Sequence, residues 1–485
     1  MKTIRAARTA LVFIFTILAF LTPFPKYASG MDPFSTERLA QPLPHATGDS
    51  ANPCSGVLVG NAAMSLQDVV DLSLCNNPQT RQAWINARVQ AGQVGVAKST
   101  YLPSLTVGGS VSQQTVNGAS ASTSNNNDVS ATLNYLVYDF GQRSANLDSS
   151  LQTLYALNET KNATLQAVFL SAVTDYYQFF EAQATVDSSR EAERSALESH
   201  NAAKRKFELG AATLSDELQA KTAWSQAILT RIQAEGALRN AMGVLANVMG
   251  LAPTQNILLA PPSEILPDDR AEQNVGALIE AGIADRPDLQ AAKRQTEAAR
   301  ANVEAVKAGG MPTISLSGSL DHATQGTRYP NLGLVTTTTD TQSVALSLTI
   351  PLFTGFGTTY RIRTAEEQAS LRLAQEEQIK RQVELDVWQA YQNLLTSSQS
   401  VKSSADLVAS ATESEKYIFS RYQKGLQNIL DLLTAQSTLE SAKQQYIQAV
   451  FNWRINKAAL AKAMGQLTPE SNRPEHGNGK KENIK

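Results

Sequence analysis

The sequence contains few of the residues that enzymes and metal-binding proteins use at their sites. Only two cysteines, four histidines and 6% aromatic residues occur among 485 positions. The chain has no phosphate-binding loop, nucleophile elbow or zinc-binding His-Glu-x-x-His pattern. We therefore expect no catalytic residues, no metal and no cofactor. The scattered histidines are His45, His200, His322 and His476.

An excess of charge of either sign is also missing. The chain has 42 basic and 44 acidic residues, which gives a formal net charge of -2. Because nucleic-acid-binding chains concentrate basic residues in patches, this balance predicts no nucleic-acid partner. Beyond the N-terminus the chain has no run of about 20 apolar residues, so a membrane crossing would require β-strands.

The N-terminus predicts export from the cytoplasm. Arg5 and Arg8 precede an apolar run at 11–21, which is shorter than the ~20 residues that span a bilayer as a helix. We interpret residues 1–30 as a secretory signal peptide, with a membrane anchor as the alternative. The proline-rich segment that follows, 31–63, is expected to be irregular.

Cys54 and Cys75 lie near the start of the predicted mature chain. In an exported protein a lone pair of cysteines favours a disulfide bond, which stabilises the fold by ~3 kcal/mol through the loop it closes. A zinc site is the weaker alternative, because two cysteines 21 positions apart without a nearby histidine pair lack the usual ligand spacing.

Proline is absent from two very long stretches, residues 104–252 and 352–468. An interior proline costs a helix ~3 kcal/mol, so long helices are allowed in these stretches. Residues 141–208 would form a helix ~100 Å long. Apolar residues in it recur at spacings of three and four, as at Leu165 and Val168, which predicts coiled-coil packing.

The same unit occurs twice in the chain. Short motifs recur in the same order at offsets of 209 to 216 residues, which chance does not produce. The recurring motifs are Asn77-Pro78 with Arg286-Pro287, Pro103 with Pro312, Gly141 with Gly357, Gly210 with Gly425, and Met249-Gly250 with Met464-Gly465. We therefore divide the chain into a first repeat (64–252), a linker (253–270), a second repeat (271–466) and a disordered tail (467–485).

Each repeat is predicted to contain a helix, two strands, a very long helix and a further helix. The first helices are expected at 65–99 and 272–308. Alternation of apolar with small polar residues predicts strands at about 105–114, 129–138, 313–321 and 343–352. The Ser-, Asn- and Thr-rich segments 115–128 and 322–341 are interpreted as loops, and Gly210 and Gly425 as reversals between the long helices.

The predicted strands suit a position between lipid and water, because one face is apolar and the other is small and polar. Four strands cannot close a barrel, and an open sheet edge is excluded from lipid. A barrel of ~8 strands is filled by side chains, so a conducting pore favours three or more copies of the chain. A soluble β-hairpin packed on helices is the alternative.

From about Met64 to Gln466 the chain resembles TolC-type outer-membrane factors. The resemblance rests on the duplicated unit, Asn77-Pro78, the strand exits at Gly141 and Gly357, and the segment from Arg421 to Gln436. It implies a mainly α fold with a β-barrel part. Three copies of the four predicted strands would form a 12-stranded outer-membrane β-barrel on a long α-helical periplasmic tunnel. The segment around Cys75 resembles the branch that serves type I secretion.

The resemblance also implies a function and partners. The function is an outer-membrane channel of a tripartite efflux or type I secretion system, which passes proteins or small molecules to the exterior through a gated tunnel. The partners are two further copies of the chain in a homotrimer, outer-membrane lipid, a periplasmic adaptor protein, and an inner-membrane pump of the ABC or proton-driven (RND) type. A periplasmic adaptor or a soluble periplasmic helical scaffold is the alternative.

In this family, ties between neighbouring helices close the periplasmic end of the tunnel. By resemblance, Tyr422 and Asp216 form such a tie, and Gln427 stands where the family has an arginine. Asp431 and Thr434 stand at the pore constriction, where the family has two aspartates. Three copies of Asp431 would form a ring that attracts cations. The alternative for both aspartates is an ordinary carboxylate at the start of a helix.

The turns between the long helices resemble the docking sites of the periplasmic adaptor. A glycine in each turn lets a partner backbone approach closely, although a simple turn between helices needs the same glycine. The residues of these turns are Leu209, Gly210, Ala211, Lys424, Gly425 and Leu426.

Overall fold

The computed structural model of the chain describes residues 32–43, 63–117, 122–255, 257–262, 274–329 and 333–467. Two successive sets of helices and strands occupy most of these residues. The first set is α1 (Leu66–Asn76), α2 (Pro78–Ser99), β1 (Ser104–Val116), β2 (Ser122–Tyr138), α3 (Gln142–Glu208) and α4 (Leu214–Val248). The second set is α5 (Val275–Asp285), α6 (Pro287–Ala308), β3 (Thr313–Tyr329), β4 (Gly333–Thr349), α7 (Gly357–Gln423) and α8 (Ile429–Ala463).

The order of elements is the same in both sets, but each predicted first helix is two helices. The prediction of single helices at 65–99 and 272–308 is wrong, because each breaks at the residue before a proline. Asn77 and Arg286 have extended ψ values of 128° and 120°. The proline ring disfavours helical geometry at the preceding residue, and the proline then starts the next helix.

All strands form one antiparallel sheet in the order β1-β2-β3-β4. Three of the strands have 17 residues and β1 has 13, so the predicted strands were too short. The predicted loops 115–128 and 322–341 are wrong, because most of their residues belong to the ladders. His322, expected in a loop, lies in β3 with its Nδ1 2.5 Å from Asp340 Oδ1 on β4.

The chain divides into two compact units. The described residues of one unit lie within 32–40, 88–154 and 301–363 and include the whole sheet. Those of the other unit lie within 41–87, 155–300 and 364–467. In the first unit, Arg143 anchors the passage from β2 to α3. Its guanidinium donates hydrogen bonds to Asp139 Oδ2 (2.9 Å) and to the Leu136 carbonyl oxygen (2.7 Å). This ion pair is almost fully buried.

The apolar core of the second unit joins α1, α3 and α4 to the predicted linker. Ile257 of the linker lies in this core, and Met64 pairs with Leu259 in a short parallel bridge. The Tyr176 hydroxyl on α3 donates a 2.6 Å hydrogen bond to the Ala260 carbonyl oxygen. Leu467 is buried in the same core, which corrects its assignment to the disordered tail.

The segment before α1 is also more regular than expected. Thr36–Leu39 form a short 3-10 helix inside the segment 31–63, which the sequence predicts to be irregular. Farther along, Lys161 of α3 donates hydrogen bonds to the carbonyl oxygens of Gln41 (3.1 Å) and Pro42 (3.4 Å). The predicted signal peptide, Cys54, His45 and His476 lie outside the described residues. Among the described helices, none is both long enough and apolar enough to span a membrane.

Candidate functional site

The turns that join the long helices are two copies of one backbone motif. Gly210 and Gly425 have φ values of 73° and 74°, in the left-handed region that favours glycine. The Ala211 and Leu426 amides donate to the carbonyl oxygens of Lys206 (2.8 Å) and Arg421 (2.9 Å). These are the hydrogen bonds of a Schellman motif, which satisfies carbonyl groups at the end of a helix. The predicted reversals therefore lie at these glycines.

All six predicted docking residues are exposed in these turns. Leu209 is 83% exposed and Leu426 is 61% exposed, so each turn presents a large apolar side chain to solvent. A Cβ added at Gly210 or Gly425 would meet no atom within 4 Å. The structure thus leaves room above both turns, while the docking role itself remains a prediction.

All the long helices meet in one apolar cluster beside the turns, which we call the tip cluster. Its buried members are Ala203 of α3, Ala220 of α4, Tyr422 of α7, and Ile429 and Leu432 of α8. Small alanines on α3 and α4 let the larger side chains of α7 and α8 pack closely. The tip cluster therefore holds the hairpin of the second repeat against that of the first.

Tyr422 lies in the tip cluster without the hydrogen bond that the family resemblance implies. The residue is 3% exposed, and its hydroxyl has no hydrogen-bond partner among the described residues. Burial and the nearby charge of Asp216 raise the pKa of the Tyr422 hydroxyl. Asp216 is therefore close enough to act electrostatically, but the two residues are not joined by a hydrogen bond.

The Asp216 carboxylate is used in a helix cap instead. Its Oδ2 accepts hydrogen bonds from the Thr213 amide (2.8 Å) and the Thr213 hydroxyl (2.9 Å). The Thr213 hydroxyl in turn accepts from the Asp216 amide, which completes a capping box at the start of α4. The alternative interpretation of Asp216, a carboxylate at a helix start, matches this geometry.

Gln427 and Asp431 form a pair within the second turn. Gln427 Nε2 donates a 2.5 Å hydrogen bond to Asp431 Oδ2, and the Asn428 side chain accepts a 2.7 Å hydrogen bond from the Asp431 amide. Gln427, Asp431 and Thr434 line one open pocket of about 310 Å³ between α7 and α8. The structure thus brings the predicted constriction residues together, and pairs Gln427 with Asp431.

Two residues that join α3 to the helices of the second repeat were not predicted as site residues. Lys206 of α3 donates a hydrogen bond to the Tyr422 carbonyl oxygen, and its Nζ lies 3.9 Å from the centre of the Tyr422 ring. Gln436 of α8 donates to the hydroxyls of Ser195 (2.8 Å) and Ser199 (2.9 Å) on α3. A lysine in the last turn of a helix is a sequence signal for capping, but not for a contact with another helix.

The cysteine prediction lies only partly within the described chain. Cys75 is buried in the last turn of α1, and Cys54 lies outside the described residues. The pairing of Cys54 with Cys75 therefore stays a prediction.

Comparison with known proteins places this architecture in one family. The model of the outer membrane efflux protein family matches residues 69–251 and 278–466, one match in each repeat. Protein CyaE of Bordetella pertussis is 29% identical over 405 residues, which cover 83% of this chain and 84% of CyaE. Outer membrane protein TolC of Escherichia coli is 23% identical over 86% of this chain and 85% of TolC.

A solved structure agrees with the fold. The CmeC outer membrane channel of Campylobacter jejuni superposes with a TM-score of 0.71, at 18% identity, and the match covers 89% of this chain and 96% of CmeC. The mainly α fold with its strand part is therefore confirmed, and the adaptor and scaffold alternatives are set aside. The chain belongs to the outer membrane efflux protein family, and it is an outer-membrane channel protein with a large helical periplasmic part.

Proposed function

We propose that three copies of the chain form one channel that works with a periplasmic adaptor and an inner-membrane pump. The observation that carries this proposal is the state of the sheet edges. β1 and β4 each pair with one strand only, and every residue along both strands is exposed in the single chain. Unpaired backbone groups are excluded from the hydrocarbon of a membrane, so another copy has to pair with these edges.

The number of copies follows from the strand count. The sheet has four strands, so two copies provide eight and three copies provide twelve. A barrel of about eight strands has an interior filled by side chains, whereas a channel needs an open one. The sheet faces agree with this position, because Val344 and Leu346 share one face of β4 and Ser343 and Ser347 share the other.

The test of the trimer is the mass of the purified mature protein in detergent, measured by light scattering with correction for bound detergent. We expect three chains per particle, sedimenting with the outer membrane on fractionation. A monomer or a dimer that retains native helix content would refute the proposal.

The pocket beside the second turn supports a selectivity role for Asp431. Its carboxylate and the Thr434 hydroxyl line the same open surface of α8, and threefold symmetry would set three such carboxylates around one axis. The Gln427 amide fixes one oxygen of each carboxylate and adds no charge. The proposed constriction is therefore a single ring of Asp431 carboxylates with a ring of Thr434 side chains beside it.

The exposed turns fit an adaptor that binds apolar side chains. Leu209 and Leu426 project beside glycines that leave open space, which suits a partner that inserts its own backbone or side chains there. Replacing Gly210 and Gly425 with a bulky residue should abolish export and leave trimers intact. Loss of the trimers would instead indicate that the turns serve folding alone.

Efflux of small molecules and type I secretion of proteins are both compatible with this channel. The family description favours efflux, and the segment around Cys75 resembles the secretion branch. Deletion of the chain from its host distinguishes them. Loss of secreted proteins with unchanged drug susceptibility indicates secretion, and the opposite pattern indicates efflux.

A further inference from the structure

Two faces and two ends of the sheet can be distinguished. We call the face that carries Val344 the lipid face, and the face that carries Ser343 the lumen face. β2 and β4 lead into α3 and α7 at the same end of the sheet, and the helical part of the protein is periplasmic. The end where β3 stops at Tyr329 and β4 starts at Gly333 is therefore the outer end, toward the cell exterior.

The lipid face is apolar over only part of its length. On β4 and the residues that follow it, every second residue from Val344 to Leu352 is apolar and exposed. At ~3.3 Å per residue and a tilt of ~40°, this run spans ~20 Å along the membrane normal, close to the ~25 Å apolar band of outer-membrane barrels. Phe353 and Phe356 are exposed at its inner end, where aromatic residues usually border the band. This run is therefore long enough to meet the lipid hydrocarbon by itself.

Toward the outer end the same face becomes polar. His322 and Asp340 form a cross-strand pair there, with Nδ1 and Oδ1 2.5 Å apart. Farther outward, the paired residues on this face of β3 and β4 are Thr324 with Thr338, Gly326 with Thr336, and Arg328 with Leu334. Charged groups on the lipid face are tolerated only near the edge of the hydrocarbon, so these outer rows lie beyond it. From Asp340 to Gly333 the ladder extends roughly 15–20 Å farther along the membrane normal.

The charged side chains of the outer rows are divided between the two faces. Asp128 and Asp321 lie on the lumen face, because each is next in sequence to residues of the lipid face. On the lipid face, the Asp340 carboxylate is accompanied by His322. Arg328 is the only arginine or lysine among the strand residues that the structure describes, and it is exposed on the lipid face. Contact with water alone gives no reason for this division, whereas contact with phosphate groups does, because like charges repel.

We propose that the polar outer rows of the lipid face bind the phosphorylated saccharide headgroups of the outer leaflet. This inference rests on the proposed function, because the lipid face meets lipid only if the sheet forms part of a barrel wall. The polar rows continue directly from the apolar run, so lipids packed against that run place their headgroups beside the polar rows.

The chemistry of these rows suits such headgroups. The hydroxyl groups of Thr324 and Thr338 and the side-chain amides of Asn125 and Asn127 can both donate hydrogen bonds to sugar hydroxyls and accept hydrogen bonds from them. The Arg328 guanidinium matches phosphate oxygens in charge and geometry. Because the ladder fixes the spacing of the rows, these groups are already arranged before a headgroup binds.

Neighbouring threonines of β4 provide matched variants. Thr336→Glu with Thr338→Glu places two carboxylates on the lipid face, and Thr337→Glu with Thr339→Glu places two on the lumen face of the same segment. The two double variants have the same composition and net charge. Arg328→Gln removes the cation. All five positions are exposed, so each protein should keep the wild-type helix content and the wild-type mass in light scattering.

The test measures binding of purified lipopolysaccharide to the delipidated channel in a neutral detergent. We expect saturable binding to the wild type, about 5-fold weaker binding to Arg328→Gln, and about 25-fold weaker binding to the lipid-face double variant, since each charge near an anionic lipid surface changes affinity by a factor of about 5. The lumen-face double variant should bind like the wild type. Dephosphorylated lipopolysaccharide should bind more weakly to the wild type, and inorganic phosphate should not compete.

Several outcomes would overturn the headgroup surface. Equal losses in the two double variants would show that net charge decides, and unchanged binding to the lipid-face variant would show that this face is not used. Absence of saturable binding to the wild type, equal affinity for the dephosphorylated lipid, or competition by inorganic phosphate would each exclude recognition of a phosphorylated headgroup. A monomer in light scattering, with the expected order of affinities, would refute the proposed trimer and support the surface.

Discussion

Four glycines in equivalent positions allow the cost of a steric clash to be measured separately from the cost of a left-handed backbone. Gly210, Gly250, Gly425 and Gly465 each follow a long helix, and their φ values lie between 70° and 75°. Their surroundings differ. A Cβ at Gly210 or Gly425 meets nothing, whereas a Cβ at Gly465 would lie 2.8 Å from the Arg286 nitrogen, and one at Gly250 would lie 2.8 Å from the Asn76 carbonyl oxygen.

The expected magnitudes follow from these distances. Alanine in the left-handed region costs ~1–2 kcal/mol at all four sites, offset in part by a gain of ~0.4–1 kcal/mol from restriction of the unfolded chain. At Gly250 and Gly465 the neighbouring atoms include backbone, which cannot move aside like a flexible side chain. Overpacking of this kind adds ~1–3 kcal/mol. Gly465→Ala should therefore destabilise the protein by ~1–3 kcal/mol more than Gly425→Ala.

The assay is thermal unfolding of each purified variant in the same detergent, followed by helical circular dichroism. Gly465→Ala should unfold at a lower temperature than Gly425→Ala, and Gly250→Ala at a lower temperature than Gly210→Ala. Equal midpoints within both pairs would refute the reasoning, because the left-handed backbone would then account for the whole effect.

Three further predictions concern the sheet, the pore and pH. Val344→Lys places a charge on the apolar face of β4, where Val344 is 82% exposed. This variant should assemble less well in the outer membrane, because a charge at the middle of the bilayer costs ~2–4 kcal/mol. Ser343→Lys, on the opposite face, should assemble normally in the same fractionation assay. Asp431→Ala should reduce the cation preference measured from the reversal potential in a salt gradient, and unchanged selectivity would exclude the acidic ring. Burial lowers the pKa of Lys161 from 10.5 to about 8, so between these pH values the folded chain has released a proton that the unfolded chain keeps. The free energy of unfolding should therefore rise with pH in this window, and a rise of equal size in Lys161→Met would contradict the assignment.

The sequence predicted those parts of the fold that depend on local chemistry. The absence of proline located α3 and α7, and Gly210 and Gly425 located their ends, because a helix interior excludes proline and a left-handed turn favours glycine. The helix breaks before Pro78 and Pro287 carried the same local signal. Asn77-Pro78 and Arg286-Pro287 both place a residue before a proline, where helical geometry is disfavoured.

The strand lengths could not be obtained from alternation alone. The outer parts of β3 and β4 are rich in threonine, and Thr324 pairs with Thr338 and Gln325 with Thr337 across the ladder. Polar residues on both faces give no period of two, so the pattern predicts loops in these segments. Backbone hydrogen bonds between strands require no apolar face, and a sheet can therefore extend beyond its apolar part.

The contacts of Lys206 and Gln436 with the other repeat could not be predicted from the sequence, because the partners are distant in the chain. Lys206 and Tyr422 are 216 positions apart, and Gln436 and Ser199 are 237 apart. No spacing rule within one helix relates residues at such separations. Only the packing of the tip cluster, which depends on the alanines of α3 and α4, brings them together.

The two repeats differ in the side chains beside the turns at Gly210 and Gly425. Lys206 corresponds to Arg421 in the second repeat, at the offset of 215 that relates the turns. Arg421 donates to the Tyr417 hydroxyl on its own helix, and Phe207, the counterpart of Tyr422, is 38% exposed. Lys206 therefore contacts the other repeat, whereas its counterpart Arg421 contacts its own helix. A contact between two hairpins holds both of them, so this difference shows that the repeats share the backbone motif at Gly210 and Gly425 but not the side-chain contacts beside it.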